Sequence, residues 1–237
     1  MKWAQSNYTD KTPKPKKPDT RLYYSASGTI GDAYINVCRI YNIQKENKIR
    51  IYHETRHQFW KGLIERVYYL HPNVWVSVQR KSEKIDGIRN IERLKPVWFP
   101  EFEFASAKER FNLPDEYVAI CMKSGRPSQK FRRIKPDIID EIISGFKHVI
   151  IVGDDTPDPY KPDNVIDLRG KTTLWEAFWI MKHAREAFAF QGVMAFVALS
   201  QKVPTTVFIK KDEDKVAVKG NILLTPWKQY CKEVKQT

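Results

Sequence analysis

Short apolar runs along the chain alternate with longer stretches in which apolar residues recur every three or four positions. The runs predict buried strands at 22–26, 49–53, 74–79, 117–122, 148–152, 165–168, 187–190 and 205–209. The longer stretches predict helices over 32–46, 56–70, 136–145, 172–183, 193–201 and 226–235. Strands that alternate with helices are typical of parallel sheets. The pattern therefore predicts an α/β fold.

Residues 80–115 interrupt this alternation. They carry several Lys and Arg residues and then an aromatic run, Val97–Phe104. We interpret residues 80–115 as a connector between two halves, and its aromatic rings as inter-domain packing rather than a stacking platform. The sequence thus divides into a Lys/Pro-rich arm at 1–20 and two Rossmann-like domains, at 21–110 and 111–237. Ligands of open parallel sheets bind beyond the carboxyl ends of the strands. We expect the two sheets to face each other across a central cleft that holds the ligand.

The charge of the chain is strongly positive and unevenly distributed. The 237 residues include 41 Lys and Arg and 28 Asp and Glu, a formal net charge of +13. Residues 1–110 hold 21 of the basic and 12 of the acidic residues, a net charge of +9, and the remainder carries +4. Such an excess favours polyanionic partners such as nucleic acid or an anionic membrane surface. A basic surface without a special partner is the alternative.

Several classes of protein are disfavoured by the composition. Three well-separated cysteines indicate a reducing compartment rather than a disulfide framework, and we expect a cytoplasmic monomer. No stretch approaches the roughly 20 apolar residues that cross a bilayer, and the N-terminus lacks the apolar core of a signal peptide. The five histidines show no HExxH or paired metal spacing, which argues against a metalloenzyme.

The first candidate site is the loop Ser25–Asp32, between a predicted strand and helix. Gly28 and Gly31 allow the backbone to approach a ligand closely. Asp32 stands at the start of the helix, where Asp commonly caps free N–H groups. The functional alternative is a general base that faces the cleft. The spacing of these residues leaves both roles open.

The second candidate site is the basic loop at 123–133, also between a strand and a helix. Five cations in eleven residues, among them Lys130, Arg132 and Arg133, lie beside small polar residues such as Ser128. This composition suits a diphosphate, because Arg offers a bidentate fork to phosphate oxygens. A basic surface loop without a ligand is the alternative.

Two further segments open predicted helices. Thr172 or Thr173 can cap the first of them, and Glu176 can complete a capping box with Thr173, a structural role that needs no ligand. Residues 191–193 lead from a strand into the second helix. The free N–H groups at the start of such a helix can hold an anion.

Together these four segments resemble the heptosyltransferase-like glycosyltransferases of the GT-B fold. Gly31-Asp32 is similar to the Gly-Asp that ends a loop in the first half of that family, and residues 127–135 to its hydroxyl-rich, basic loop. Asp167–Leu174 closely matches the family's Asp-Leu-x-Gly-Lys-Thr-Ser-Leu. Residues 191–204 loosely match its Asp-Ser-Gly-x-x-His-Leu-Ala-Ala-Ala-x-x-x-Pro.

The resemblance covers about residues 21–79 and 117–210. It implies that a sugar is transferred from a nucleotide diphosphate donor to an acceptor hydroxyl. We expect no cofactor and no metal, because the cations and helix N–H groups can stabilise the diphosphate. It also implies that the N-terminal domain binds the acceptor, that the C-terminal domain binds the donor and ends in a helix, and that Asp32 is the base. The expected nucleotide-sugar site comprises Gly31, Ser128, Lys130, Arg132, Arg133, Thr172, Gln191, Gly192 and Val193.

Two of the departures from the pattern of the family concern side chains that bind its donor. Gln191 replaces its Asp, and Phe196 replaces its His in a gapless match. Those two side chains help to bind an ADP-sugar in the family. We therefore expect either a different donor or an inactive chain, that is, a non-catalytic DNA-binding protein on the same scaffold.

Two polyanionic acceptors suit the positive charge. One is DNA with a hydroxymethylated pyrimidine, as modified by phage GT-B glucosyltransferases, and the other is the phosphorylated core of lipopolysaccharide. The basic arm and the basic N-terminal half slightly favour DNA, in which case a phage-encoded protein would act in the host cytoplasm. An enzyme that acts on a duplex base must flip it, which requires cations on the backbone and an aromatic wedge. The expected acceptor-binding residues are Lys14, Lys16, Lys17, Arg56, His57, Trp60 and Lys61.

Overall fold

A computed structural model describes residues 22–41, 48–56, 60–79, 89–91, 94, 100–124, 133–153, 165–209 and 226–236. The chain divides between Pro100 and Glu101 into two compact units. The sequence placed this boundary after residue 110. The predicted arm at 1–20 lies outside the described residues.

The first unit contains a four-stranded parallel sheet. Its strands are β1 (Leu22–Ser27), β2 (Ile49–Glu54), β3 (Val74–Gln79) and β4 (Arg89–Asn90), in the order β3-β2-β1-β4. Helix α1 (Ile30–Ile40) follows β1 and contacts it, and α2 (Lys61–Tyr68) precedes β3 and contacts it. Alternate residues of β2 and β3 are buried, and the two helices pack against each other.

The second unit contains a six-stranded sheet in which every pairing is parallel. The strands are β5 (Val118–Cys121), β6 (Val149–Val152), β7 (Val165–Asp167), β8 (Glu186–Phe190), β9 (Thr205–Ile209) and β10 (Cys231–Gln236). Their order is β10-β9-β8-β5-β6-β7. The helices are α3 (Lys108–Phe111), α4 (Pro136–Ser144), α5 (Leu174–His183) and α6 (Val193–Ser200). All residues of β5, β6 and β9 are buried, as expected for a parallel sheet covered on both faces.

The aromatic connector explains where the boundary between the units falls. Phe104 stacks on Trp175 of α5 with ring centroids 6.2 Å apart, and it meets Phe178 edge-on. Lys182 of the same helix donates a hydrogen bond from Nζ to the carbonyl oxygen of Phe102 at 2.8 Å. Phe102 and Phe104 of the connector therefore pack with the second unit, ahead of the predicted boundary.

These two parallel sheets confirm the predicted α/β fold, with one correction at the C-terminus. The predicted helix over 226–235 is wrong, because a 3₁₀ turn at Pro226–Tyr230 leads into strand β10. Trp227 is fully buried and packs against Phe196 of α6, which places the following residues beside β9. Pairing with that buried strand outweighs the helical spacing of the apolar residues.

Candidate functional site

The loop that follows β1 is built around Gly28. Its φ of +118° lies in the region that favours glycine. A Cβ at this position would overlap the carboxylate of Asp32. The Gly28 N–H donates to the carbonyl oxygen of Glu54 at 2.9 Å, which ties the loop to the end of β2. Glycine is therefore required for the close approach of Asp32 to this loop.

Asp32 lies in the first turn of α1, and its side chain folds back on the loop. Its Oδ2 accepts hydrogen bonds from the Thr29 N–H at 2.6 Å and from the Thr29 hydroxyl at 2.9 Å. The residue is exposed, and Oδ1 accepts no hydrogen bond from the described residues. The N-cap of α1 is Thr29 and not Asp32 as considered from the sequence; Asp32 is the third helical residue and completes a capping box with Thr29. One carboxylate oxygen of Asp32 stays open. The role of Asp32 as a base stays a prediction. The predicted contact of the neighbouring Gly31, which is buried, with the nucleotide sugar also stays a prediction.

Three buried polar side chains lie behind this loop. His53 Nδ1 lies 2.8 Å from Tyr68 Oη, and His53 Nε2 lies 3.4 Å from the Gly28 carbonyl oxygen. Asn36 Nδ2 lies 3.4 Å from the same Tyr68 oxygen. None of these three residues was predicted as a site residue from the sequence. The available signal was a polar residue, His53 or Asn36, at a position where the strand or helix pattern calls for an apolar one.

The second unit has a topological switch point between β5 and β8. From one edge to the other, the strand order is β7-β6-β5-β8-β9-β10. The chain runs from β5 outward to β7 at one edge, and then from β8 outward to β10 at the other edge. This is the strand order of a dinucleotide-binding sheet, in which ligands occupy the crevice beyond the carboxyl ends of these two strands. The loops that begin at Met122 and Gln191 flank this crevice.

Gly192 and Ser124 bring these two loops into contact. A Cβ on Gly192 would lie only 2.9 Å from the Cβ of Ser124, so the approach depends on glycine. The Ser124 Oγ is buried and has no hydrogen-bond partner among the described residues. Gly192 is also the N-cap of α6, and none of the described side chains caps that helix. An unpaired hydroxyl beside the free N–H groups of a helix can bind an anion such as phosphate.

The predicted nucleotide-sugar residues 191–193 all stand at this crevice. The Gln191 N–H donates to the Phe208 carbonyl oxygen at 2.8 Å, which fixes the loop to β9. Gln191, Gly192 and Val193 are half-buried and therefore within reach of a ligand. The structure places these three residues together at the switch point, and their contact with a donor stays a prediction.

The basic loop begins and ends beside Ser124. Lys123 and Arg133 form an isolated antiparallel bridge, and the Ile134 N–H donates to the Met122 carbonyl oxygen at 2.8 Å. Arg133 is exposed at this neck. The other predicted phosphate-binding residues of the loop lie outside the described residues; they are Ser128, Lys130 and Arg132.

The segment after β7 is held by its own ion pair. Arg169 donates to both carboxylate oxygens of Asp167, from Nε at 2.9 Å and from Nη2 at 2.7 Å. Burial raises the pKa of Asp167, but the hydrogen bonds and charge of Arg169 outweigh it and lower the pKa. The Gly170 N–H donates to the Gly153 carbonyl oxygen at 3.1 Å, which joins this segment to the end of β6.

The predicted capping box at the start of α5 is confirmed. The Thr173 N–H donates to Glu176 Oε2 at 2.7 Å, and the Glu176 N–H donates to Thr173 Oγ1 at 3.2 Å. Arg110 Nη1 also contacts both carboxylate oxygens of Glu176, at 2.6 and 2.9 Å. Burial raises the pKa of Glu176, but the bonds from Thr173 and Arg110 outweigh it and lower the pKa.

Thr172, predicted to lie near the nucleotide base, is fully buried. Its Oγ1 has no hydrogen-bond partner among the described residues. The hydroxyl is therefore not exposed at the surface of the second unit. A contact between Thr172 and a nucleotide stays a prediction.

Part of the predicted acceptor site lies in the first unit beyond the carboxyl ends of the strands, as Asp32 does. Arg56 and Trp60 precede α2, and Lys61 begins it. Arg56 and Lys61 are exposed, Trp60 is half-buried, and Lys61 lies 4.0 Å from Glu65 one helical turn on. The remaining predicted acceptor residues lie outside the described part of the chain; they are Lys14, Lys16, Lys17 and His57.

Within the described ranges, no three His, Cys, Asp or Glu side chains are grouped so that they could hold a metal ion. In the same part of the chain, no helix is both long and apolar enough to span a bilayer. The expectation of a metal-independent reaction stays a prediction.

No protein-family model and no curated protein matches the sequence. Solved structures of glycosyltransferases do share its fold. The ADP-heptose lipopolysaccharide heptosyltransferase II of E. coli superposes with a TM-score of 0.52 at 9% identity, over 91% of this chain and 90% of that one. A family 9 glycosyltransferase from Veillonella parvula gives 0.52 at 10% identity, over 92% and 86%.

The iron-containing dodecameric glycosyltransferase TibC of enterotoxigenic E. coli is also similar. It superposes with a TM-score of 0.52 at 14% identity over 80% of this chain, and its complex with ADP-D-β-D-heptose gives 0.54 over 88%. This chain spans 58 to 62% of the length of TibC. The fold is that of the GT-B heptosyltransferases, as the sequence resemblance predicted.

Proposed function

We propose that this protein is a glycosyltransferase that transfers a sugar from a nucleotide diphosphate to a hydroxyl group of a polyanionic acceptor. The contact between Gly192 and Ser124 carries the proposal. It sets a buried hydroxyl, which has no partner among the described residues, beside the start of α6, which no described side chain caps. Free N–H groups at a helix N-terminus bind phosphate. The donor diphosphate would occupy this crevice, with Arg133 at its rim.

The reaction needs a base for the acceptor and positive charge for the leaving group. Asp32 would take the proton of the attacking hydroxyl on its open Oδ1. The acceptor oxygen would then form a bond to the anomeric carbon as the bond from that carbon to the diphosphate breaks. The α6 N–H groups, Arg133 and the adjoining basic loop would stabilise the departing diphosphate. This scheme requires no cofactor and no metal.

We further propose a donor other than ADP-heptose. Phe196 stands where the resembling family has His, and it is buried against Trp227 with ring centroids 6.2 Å apart. An apolar ring in the core offers no hydrogen bond to a sugar. Gln191 likewise replaces a carboxylate at the crevice, which changes both charge and hydrogen-bonding pattern.

Hydroxymethylated-pyrimidine DNA is the acceptor that we favour. The net charge of +13 suits a phosphate backbone, and the exposed Arg56 and Lys61 lie beyond the carboxyl ends of the strands, as Asp32 does. The lipopolysaccharide core is the second candidate, supported by the fold shared with a lipopolysaccharide heptosyltransferase. We propose a cytoplasmic monomer, for which light scattering would report the mass of a single chain.

A transfer assay with pooled nucleotide sugars tests the activity. The acceptors are unmodified DNA, hydroxymethylcytosine DNA, hydroxymethyluracil DNA and a lipopolysaccharide core, with product mass as the readout. We expect one hexose or pentose to be added to hydroxymethylated DNA alone. Transfer to the lipid core alone would overturn the choice of acceptor. DNA binding without added mass on any acceptor would overturn the transferase and favour a non-catalytic DNA-binding protein.

Salt dependence of binding tests the DNA partner separately. Replacement of Lys14, Lys16 and Lys17 by Ala should reduce the slope of log affinity against log salt by about 0.9 for each lost phosphate contact. The matched control removes the same charge from the second unit, through alanine at three exposed lysines, Lys135, Lys147 and Lys228. Equal slopes for the two triple variants would refute the role of the arm.

A further inference from the structure

The buried side chains behind the Gly28 loop have no part in the scheme above. We propose that His53 is a positioning residue for Asp32. Held by Tyr68, it orients the peptide group between Gly28 and Thr29, and the other side of that group holds the Asp32 carboxylate. The inference rests on the proposed role of Asp32 as the base.

One planar group links the two contacts. The carbonyl oxygen of Gly28 and the N–H of Thr29 belong to the same peptide bond, and in a trans peptide they point in opposite directions. The oxygen lies 3.4 Å from His53 Nε2, and the N–H donates to Asp32 Oδ2 at 2.6 Å. Any rotation of this peptide plane changes both distances together.

The orientation of the plane needs support from outside the loop. At φ +118° Gly28 has no Cβ to restrict its rotation. The Gly28 N–H donates a hydrogen bond to the carbonyl oxygen of Glu54, the residue that follows His53 in β2. The end of β2 thus supports the glycine on both sides, with its backbone at the N–H and with the imidazole at the carbonyl.

The neighbours of His53 select the tautomer that can do this. A carbonyl oxygen only accepts, so Nε2 carries the proton and Nδ1 is the acceptor. Tyr68 then donates its O–H to Nδ1 at 2.8 Å, and its oxygen accepts from Asn36 Nδ2 at 3.4 Å. Arg39 Nη1 donates to Asn36 Oδ1 at 2.9 Å, which sets the orientation of that amide.

The hydrogen bonds therefore run in one direction, from a cation to a carboxylate. Each donor points toward the Gly28 loop, starting at the Arg39 guanidinium and ending at Asp32. Aligned hydrogen bonds polarise one another, and the effect is larger away from water. Asn36, His53 and Tyr68 are each at most 1% exposed, so water does not compete for the contacts among these three side chains.

Four variants test the inference. Tyr68→Phe keeps the buried ring and removes the hydroxyl, and His53→Leu removes both ring nitrogens. His53→Gln retains an N–H donor near the position of Nε2, so it should restore what His53→Leu loses. The control is His71→Leu. His71 lies in the same unit and has the same 1% exposure, but it precedes β3 at the amino ends of the strands, away from the Gly28 loop.

The first readout is the backbone amide of Thr29 in NMR spectra of the full chain. We expect its chemical shift to move and its hydrogen exchange to accelerate at least about tenfold in Tyr68→Phe and His53→Leu, because the bond to Asp32 is loosened. We expect near wild-type values in His53→Gln and His71→Leu. An unchanged Thr29 amide in Tyr68→Phe, or an equal change in His71→Leu, would overturn the inference.

The second readout is steady-state transfer. Tyr68→Phe and His53→Leu should lower kcat by about 10- to 100-fold, as expected when a catalytic group is slightly misplaced. The KM for the donor should stay constant, because the proposed donor crevice lies in the second unit. A rise in donor KM with constant kcat would overturn the inference, since a positioning role for Asp32 acts on the chemical step.

The two readouts separate failure of the inference from failure of the proposed function. If the wild-type chain transfers no sugar while the Thr29 amide responds, the function is wrong and the structural link stands. If transfer occurs and the amide does not respond, the function stands and the link is wrong. If His53→Leu does not fold, Tyr68→Phe and His53→Gln still decide the outcome.

Discussion

Replacement of Gly28 by Ala tests the loop geometry most directly. The new Cβ would lie 2.5 Å from Cγ and 2.8 Å from Cβ of Asp32, whereas real Cβ atoms essentially never approach within 3.0 Å. The contacted atoms belong to a short side chain on a helix, so relief requires the Asp32 carboxylate to turn away from Thr29. Its two hydrogen bonds with Thr29 would then be lost.

The expected cost has two parts. An alanine at φ +118° carries backbone strain of about 1–3 kcal/mol. Loss of the two hydrogen bonds from Thr29 adds about 1–2 kcal/mol, a low value because Asp32 is exposed and water replaces them in part. We expect the free energy of unfolding to fall by about 2–5 kcal/mol and Tm by roughly 5–15 °C. With the carboxylate displaced, kcat should fall by about 100-fold.

Gly62→Ala is the matched control. Gly62 lies in α2 of the same unit, and a Cβ there meets nothing within 4 Å. This alanine should raise the free energy of unfolding by about 0.5–1 kcal/mol and leave kcat unchanged. Calorimetry and the transfer assay on both variants give the comparison. A Gly28→Ala protein with wild-type Tm and kcat would refute the reasoning about the loop.

Three further predictions concern other parts of the structure. Gly192→Ala places a Cβ 2.9 Å from the Cβ of Ser124, so it should weaken binding of a nucleoside diphosphate roughly tenfold. Calorimetric titration measures this affinity, and a wild-type value would show that the donor does not bind at the switch point. Asp32→Asn should lower kcat by at least about 100-fold without changing donor or DNA affinity, and a full rate would exclude the base. Arg110→Gln removes a charge that lowers the pKa of Glu176. The pKa of Glu176 is lower in the folded state than in the unfolded state. The contact with Arg110 therefore stabilises the folded protein above the unfolded pKa of Glu176, and this stabilisation is lost as pH falls through its folded pKa. The Tm difference from wild type should therefore shrink on acidification, and a difference independent of pH would contradict this account.

The sequence predicted the strands and most helices because local patterning decides them. Val74–Gln79 and Thr205–Ile209 were predicted at their observed bounds, since each is an apolar or β-branched run between turn residues. The last strand, β10, was missed because its formation depends on a partner distant in sequence rather than on local patterning. Its pairing partner β9 is separated from it by more than twenty residues, and Trp227 supplies a helical spacing that the buried strand overrides.

The candidate site was predicted in the same uneven way. Asp32 and Gly192 belong to strand-to-helix segments that motif spacing identifies, and the structure places these segments after the carboxyl ends of β1 and β8. The contact of Gly192 with Ser124 joins loops that are far apart in sequence, and no spacing reports it. His53 of β2 and Tyr68 of α2 are separated along the chain and meet only through their side chains, so their roles become visible only in the fold.

The two roles considered for Asp32 from its spacing are compatible, and the first supports the second. A carboxylate that caps its own helix through Oδ2 loses the freedom to rotate, which leaves Oδ1 as the oxygen that can accept a proton. A freely rotating aspartate would have to be ordered each time an acceptor binds, and that ordering would cost binding energy. The Thr29 contacts remove this cost in advance, and the buried chain through His53 extends the same restraint to the peptide that carries them. In the proposed reaction, capping and proton transfer would therefore be parts of one arrangement, in which helix stability holds the proposed base in place.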